Sequence, residues 1–344
     1  MLLGLKYYGT VKIGQPPQAF KGIDFDTGSS QFIISSKGCT ECWGTTHYDP
    51  SASSTFKANS KPWKITYGDQ SRAEGILGHD LIFLDDITVE NQQLALVTNE
   101  SIGFDDTIDG IMGLAFDSLS SSITGTKTVF ENMMAQNVVK RGIFSFYLGK
   151  ASLDGGGRSM SRTASLTGKL SRSATVATFR YDAFAEDADD ENESRGDDDE
   201  RRSHHNKKSC TKSNIPGIMD TGTTLMIVPQ QLSRSIHRKI HGAVEHDPSW
   251  TVPCDLAERH PEGKVELEIE GKRLKIPYED LVREETEEAS GAYYFGIQTS
   301  FAKFMIIGDV FIENNCVVFD QENKRVGIAP LKLEKRTTAT ERRV

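Results

Sequence analysis

The sequence predicts a mainly β protein of two related, barrel-like lobes with a cleft between them, and three observations carry that prediction. Phe25-Asp26-Thr27-Gly28-Ser29-Ser30 recurs as Met219-Asp220-Thr221-Gly222-Thr223-Thr224. Ile111-Met112-Gly113 recurs as Ile306-Ile307-Gly308, and the step from Asp to that second Gly is 87 residues in the first half and 88 in the second. Around both repeats, short stretches of alternating apolar and polar residues are broken by Gly, Asp-Gly and Pro, the pattern of a β-rich sandwich or barrel. Two motifs repeating at matched spacing imply a duplicated lobe with a pseudo-twofold axis, where one Asp from each lobe meets the other. At 344 residues the chain is long enough for two cores of ordinary size.

Along the first lobe, residues 1–150, the segments 8–13, 23–25, 32–35, 63–67, 76–84 and 144–148 read as strands. A helix is expected from Val129 to Val138, with Thr128 as its N-cap. The character changes over 151–214: Gly155-Gly156-Gly157 opens a Ser- and Arg-rich stretch, and a mostly acidic run from Glu186 to Glu200 is followed by Arg201-Arg202 and Lys207-Lys208. Such blocks repel themselves and bury little apolar surface, so at least 185–208 is expected as disorder or an exposed loop. Strand-like patterning returns over 215–331, with a helix near 229–241, and 332–344 reads as a frayed, charged tail.

Composition excludes several classes. A net charge of -9 argues against nucleic acid as a partner, which calls for a basic face. No apolar run approaches the roughly 20 residues a membrane helix needs. His204-His205 beside acidic residues reads as a solvated polar tract rather than a metal site, and no cofactor or metal is expected. Residues 1–8 are too short and too lightly apolar to read as a secretory leader. Asn99-Glu100-Ser101 and Asn192-Glu193-Ser194 fit the N-glycosylation pattern, a weak signal by itself.

Five cysteines are present. Cys39 and Cys42 form a C-x-x-C pair, which serves elsewhere as half a zinc site, a redox motif or a small disulfide loop. No second close pair exists to complete a zinc site, and the flanks read as loop, so a Cys39–Cys42 disulfide and an oxidising compartment are expected.

Taken alone, Asp-Gly and Thr-Gly are turn signals. Duplicated as Asp-Thr-Gly-Ser/Thr followed by apolar-apolar-Gly, they resemble the pepsin family of aspartic endopeptidases, nearest its secreted, fungal, rhizopuspepsin-like members. The likeness is close over 7–150 and 217–331. It includes Tyr67-Gly68-Asp69, Asp109-Gly110-Ile111-Met112-Gly113-Leu114 and Ile307-Gly308-Asp309-Val310-Phe311. The resemblance implies Asp26 and Asp220 as paired catalytic carboxyls sharing one proton, the behaviour for which the handling of such dyads is the standard example. It implies Gly28 and Gly222 as sites of close backbone approach, and Ser29 and Thr223 as hydroxyls bonded to the outer carboxylate oxygens. Tyr67, Gly68 and Asp69 fall on a flap over the substrate, and Ile111 and Asp24 fall on the cleft. Asp24 and Asp69 match positions that carry acids in fungal relatives and suggest acceptance of Lys, beside large apolar residues, just before the scissile bond. The same resemblance implies a polypeptide substrate, inhibition by pepstatin-like compounds, an acid pH optimum, a monomer, and an extracellular or vacuolar protein made as a zymogen.

The pattern also breaks. Ile33 stands where relatives carry a Trp, and Gln70 where they carry a flap Gly. No aromatic strand is recognisable before the second lobe. Cys254 matches a family disulfide cysteine whose partner falls near Gly291, leaving it to pair with Cys316 or Cys210 or to stay free. A catalytically impaired homologue acting as a peptide-binding module is the competing reading. A retaining glycosidase using two carboxylates explains neither the Thr-Gly repeats nor the flap.

Overall fold

The structure, a computed structural model, describes residues 7–67, 71–101, 107–116, 127–148, 177–180, 214–246, 248–286 and 291–331. Gly68, Asp69, Gln70, Asn192, His204, His205, Cys210 and the tail 332–344 lie outside these residues, as does the acidic segment expected to be disordered.

The first lobe is built from β1 (Tyr8–Ile13), β2 (Gln18–Asp26), β3 (Phe32–Ser35), β4 (Lys57–Thr66), β5 (Arg72–Leu84), β6 (Ile87–Ser101) and β7 (Gly110–Gly113). They form one sheet in the order β1-β2-β7-β3-β6-β5-β4, which a further pairing of β1 with β5 closes into a barrel. Alternation decides the faces: Val11 and Ile13 of β1 are buried while Thr10 and Lys12 are exposed. The barrel core holds Phe20, Ile23, Ile34, Tyr48, Ile82 and Leu94, each without solvent exposure. The strand β6 is missing from the sequence expectation because Asn91-Gln92-Gln93 breaks its apolar pattern. Gln92 is nevertheless buried, accepting from Asn132 Nδ2 at 2.7 Å and donating to the Lys127 carbonyl at 3.4 Å. Helix α1 (Val129–Ala135) starts where expected: Glu131 N–H donates to Thr128 Oγ1, and Thr128 N–H donates to Glu131 Oε2. This reciprocal pair satisfies two N–H groups that the first helical turn would otherwise leave open.

The chain continues through β8 (Ile143–Phe146) and β9 (Ala177–Arg180). The strand β9 stands in the stretch where no aromatic strand is recognisable from the sequence. It pairs with β10 (Asn214–Met219) from Asn214↔Arg180 to Gly217↔Ala177. Periodicity misses a four-residue strand flanked by charged and Ser-rich sequence, because the partners that stabilise it lie far along the chain.

The second lobe adds β11 (Met226–Pro229), β12 (Val244–His246), β13 (Ser249–Pro253), β14 (Lys264–Ile269), β15 (Lys272–Pro277), β16 (Val282–Glu285), β17 (Ala292–Phe295), β18 (Ile297–Ser300) and β19 (Met305–Ile307). One sheet runs β15-β14-β9-β10-β19-β11-β18, and a smaller one runs β12-β13-β17-β16. Helix α2 (Gln230–His237) falls within the expected 229–241 window; α3 (Leu256–Arg259), α4 (Tyr278–Leu281) and α5 (Asp309–Ile312) are short. His237 is buried and stacks on Trp250 at 4.3 Å between ring centroids, and burial pushes its pKa down to about 4.

The lobes meet through a fourth sheet, in which β20 (Asn315–Asp320) lies between β21 (Arg325–Pro330) and β8. Phe144 of β8 stacks on Phe319 at 5.0 Å and meets Phe130 of α1 edge-on at 4.8 Å. Phe144 and Phe146 therefore pack against both lobe cores. Among the described residues no helix is long and apolar enough to cross a membrane.

Cys39 and Cys42 are disulfide-bonded. Cys254 and Cys316 are free thiols, the first exposed and the second buried, so they do not pair with each other. Cys254 N–H donates to the Gly291 carbonyl at 3.3 Å, so the position expected for a partner cysteine does lie opposite it but carries Gly.

Next to the disulfide loop, Glu100 Oε1 accepts from Trp43 N–H, and burial pushes the Glu100 carboxyl up to about 7. The fold favours the neutral acid, so this contribution is whole below the ordinary value of 4.5 and drains as pH rises through about 7. Glu100→Gln keeps an acceptor for Trp43 and cannot ionise. Its urea midpoint should fall less between pH 5 and pH 8 than that of the wild type; equal losses would show that Glu100 is not the group responsible.

Candidate active site

Each Asp-Thr-Gly motif sits at the end of a strand whose parallel neighbour carries the apolar-apolar-Gly motif. Asp26 closes β2 beside β7, with Asp26 opposite Gly113. Asp220 follows β10 beside β19, with Met219 opposite Ile307. The second motif then straps the loop: Leu114 N–H donates to Asp26 O at 2.7 Å and Ala115 N–H to Ser29 O at 2.8 Å. In the other lobe Asp309 N–H donates to Thr223 O at 2.9 Å and Val310 N–H to Thr224 O at 3.1 Å. This pairing of strand end and strap is the structural content of the matched spacing in the sequence.

The two loops interlock through their threonines. Thr27 N–H donates to Thr221 Oγ1 and Thr221 N–H to Thr27 Oγ1, both at 3.1 Å. Thr27 Oγ1 donates to the Met219 carbonyl at 2.8 Å, and Thr221 Oγ1 donates to the Phe25 carbonyl. Neither threonine is singled out by sequence reasoning, although the signal was present as the invariant middle residue of a repeated triplet.

Gly28 and Gly222 face the opposing carboxyls. A Cβ on Gly28 would lie 2.6 Å from Asp220 Cγ, and one on Gly222 would lie 2.6 Å from Asp26 Oδ1. Their N–H groups also hold the carboxyls of their own loops: Gly28 N–H donates to Asp26 Oδ1 at 2.6 Å and Gly222 N–H to Asp220 Oδ1 at 3.0 Å.

The carboxyls of Asp26 and Asp220 face each other, each seated against the glycine of the opposing loop. Asp26 is 8% exposed. Burial, and then the charges of Asp220 and Asp24, push its pKa well above the ordinary carboxylate range. Two carboxyls in this setting cannot both ionise cheaply, so the pair retains one proton far above the pH at which a free carboxyl loses it.

Thr223 Oγ1 donates to Asp220 Oδ2 at 2.7 Å. Its counterpart differs. Ser29 lies beside Asp26 and favours its ionised form, but Ser29 Oγ makes no well-formed hydrogen bond among the described residues.

Tyr67 follows β4, and its N–H donates to the Ser71 carbonyl ahead of β5 at 2.9 Å. Its ring packs on a cluster containing Ile33, Trp43, Trp63 and Ile111. Ile33 occupies the place of the expected tryptophan within that apolar wall, and Trp63 Nε1 donates to Gln31 Oε1 at 2.9 Å. Ile111 is only 3% exposed, which makes it part of the wall beneath Tyr67 rather than an open cleft surface. Asp24 lies on β2 opposite Tyr8 and Ile111, with a buried Oδ1, and its charge reaches Asp26 and Asp309. Gly68 and Asp69 belong to the residues outside the described set.

Two β lobes that each deliver one carboxyl to a shared axis define the class of aspartic proteases. The family model for eukaryotic aspartyl proteases matches residues 6–331, and the chain belongs to that family. Rhizopuspepsin of Rhizopus chinensis is 36% identical over 330 residues, covering 95% of this chain and 79% of that protein. Syncephapepsin of Syncephalastrum racemosum is 36% identical over 334 residues, covering 95% and 78%. Pepsin A of Gallus gallus is 34% identical over 330 residues, covering 94% and 84%. The chain is an aspartic endopeptidase.

The approach at Gly28 gives a direct test of the loop geometry. Gly28→Ala must push the Asp220 carboxyl or the loop aside, and displacements of about 1 Å at reacting groups cost roughly 100-fold in rate. Peptide hydrolysis by this variant should fall at least that far while its circular dichroism stays that of the wild type. Retention of full activity would show that the two loops can accommodate a methyl group without displacing the Asp220 carboxyl.

Proposed function

We propose that Asp26 and Asp220 are the catalytic pair, and that the enzyme cuts internal peptide bonds of extended polypeptides at acid pH. One observation carries the reading: each carboxyl packs on the glycine of the opposing loop, so the two share one site and one proton. The ionised member takes a proton from a water between them. That water's oxygen adds to the peptide carbonyl carbon while the protonated member gives its proton to the carbonyl oxygen. Collapse of the tetrahedral adduct breaks the C–N bond, with a proton passed to the departing amine. The sequence requires no covalent acyl-enzyme and no cofactor.

Tyr67, with Gly68 and Asp69 on the flap, closes over the bound strand and excludes water. Asp24 and Asp69 favour Lys as well as large apolar residues before the scissile bond. The Cys39–Cys42 disulfide supports an oxidising, extracellular location. We further read the enzyme as a monomer made as a zymogen and inhibited by pepstatin-like compounds.

Hydrolysis of a denatured protein between about pH 3 and 6, with and without pepstatin, tests the central reading. Activity should appear in that range and vanish both with the inhibitor and in Asp26→Asn. A folded wild-type chain that binds pepstatin but cuts nothing would instead establish the peptide-binding homologue. For specificity, Asp69→Leu should lower cleavage after Lys and spare cleavage after Phe in matched peptides; equal loss at both rejects the acidic-subsite reading.

A further inference from the structure

Behind the second motif lies a group of ionisable side chains that the proposed reaction does not use. Asp309 opens α5 and is 2% exposed. Its N–H holds the Thr223 carbonyl at 2.9 Å, and Thr223 Oγ1 holds Asp220 Oδ2 at 2.7 Å, so α5 and the Asp220 loop form one unit. Asp309 Oδ1 is buried and accepts no hydrogen bond among the described residues.

Four charged groups face Asp309: Asp24 from β2, Asp220 from the loop after β10, Glu313 at the end of α5, and Arg283 from β16. Glu313 is 3% exposed and accepts from the Tyr7 hydroxyl at 3.1 Å, a tie between the first residues of one lobe and the other lobe. Arg283 Nη2 stands 3.7 Å from Glu313 Oε1, with both side chains at least nine-tenths buried. Its Nη1 donates to the Asp280 carbonyl at 3.2 Å, while Nη2 makes no hydrogen bond among the described residues. The guanidinium is thus held in place by one carbonyl and by the field of the carboxylates around it.

We infer that Arg283 and Glu313 are positioning residues that set the pH range of the catalytic pair, acting on it through the buried carboxyl of Asp309. This rests on the reading of Asp26 and Asp220 as that pair. Five carboxyls, those of Asp24, Asp26, Asp220, Asp309 and Glu313, crowd one poorly solvated region, and they cannot all ionise together. Burial, then Asp24, Glu313 and Asp220, push Asp309 well above the ordinary carboxylate range, and Arg283 opposes that push. Loss of the Arg283 cation makes the whole group bind protons more tightly. The ionised member of the pair then appears only at higher pH. Loss of the Glu313 anion does the reverse. At separations of about 10–20 Å and an effective dielectric of about 20, one charge moves a titration by roughly half to one pH unit. An ion pair that merely held Tyr7 to the second lobe would change stability without moving the titration.

The test is the pH profile of kcat/KM on one peptide for the wild type, Glu313→Gln, Arg283→Met, Arg283→Lys and the double variant Arg283→Met/Glu313→Met. The acid-side midpoint should fall by roughly half a unit in Glu313→Gln and rise similarly in Arg283→Met. It should return toward the wild type in Arg283→Lys and in the double variant, where charge or neutrality is restored. Folded single variants with wild-type midpoints, or with shifts of the same sign, overturn the inference. If Arg283→Met does not fold, Glu313→Gln decides alone, since Gln still accepts from Tyr7 and an unmoved midpoint is then sufficient to reject it. A folded wild type without acid activity overturns the catalytic pair itself, and this inference with it.

Discussion

The reciprocal hydrogen bonds between Thr27 and Thr221 are the constraint on which the site depends. Each threonine reaches across the pseudo-twofold axis to the other loop's backbone, so neither Asp can be placed without the opposite lobe. Such bonds contribute about 0.5–1.5 kcal/mol each, less than the roughly 1.5–3 kcal/mol from burying one large apolar side chain. The threonines therefore do not hold the lobes together. The aromatic contact of Phe130, Phe144 and Phe319 and the sheet of β8, β20 and β21 do that. What the threonines supply is direction, in a setting where two neighbouring carboxyls repel each other and would otherwise separate.

Placing acids in a poorly solvated interior is unfavourable, and the structure shows how far this is taken. Asp26 and Asp309 are both driven toward the neutral form by burial first and by neighbouring carboxylates second. In the proposed reaction the pair must retain one proton, so the same crowding that destabilises the charged state would prepare the reactive one. Thr223 is bonded to Asp220 whereas Ser29 makes no well-formed bond to Asp26, so the duplication is not symmetric around the two carboxyls.

Departures from the family pattern are absorbed locally. Ile33 replaces an aromatic residue, yet Trp43 and Trp63 supply bulk to the same cluster under Tyr67. Gly291 stands where a cysteine partner for Cys254 is expected, and the Cys254–Gly291 backbone contact persists without a covalent bond. The loop closed by Cys39–Cys42 lies on the other lobe and is unaffected by that loss.

The sequence by itself determined the duplication, the two Asp-Thr-Gly loops, the strands 8–13 and 32–35, and the capped helix after Thr128, because each is written in local chemistry or in matched spacing. It also pointed to the Cys39–Cys42 bond, since three residues of separation leave little else for the pair to do in a loop. Tertiary structure alone decided the rest. The strand β9 exists only because β10 and β14 stand on either side of it. The strand β6 is disguised by a buried Gln92 whose partners, Lys127 and Asn132, lie far along the chain. Ile111 reads as a surface residue of a cleft until packing buries it. Arg283, Glu313 and Asp309 carry no motif that joins them; they become one group because β16 and α5 converge beneath the Asp220 loop. Periodicity and spacing report what a residue does with its neighbours in sequence, whereas charge crowding depends on distances that only the folded chain sets.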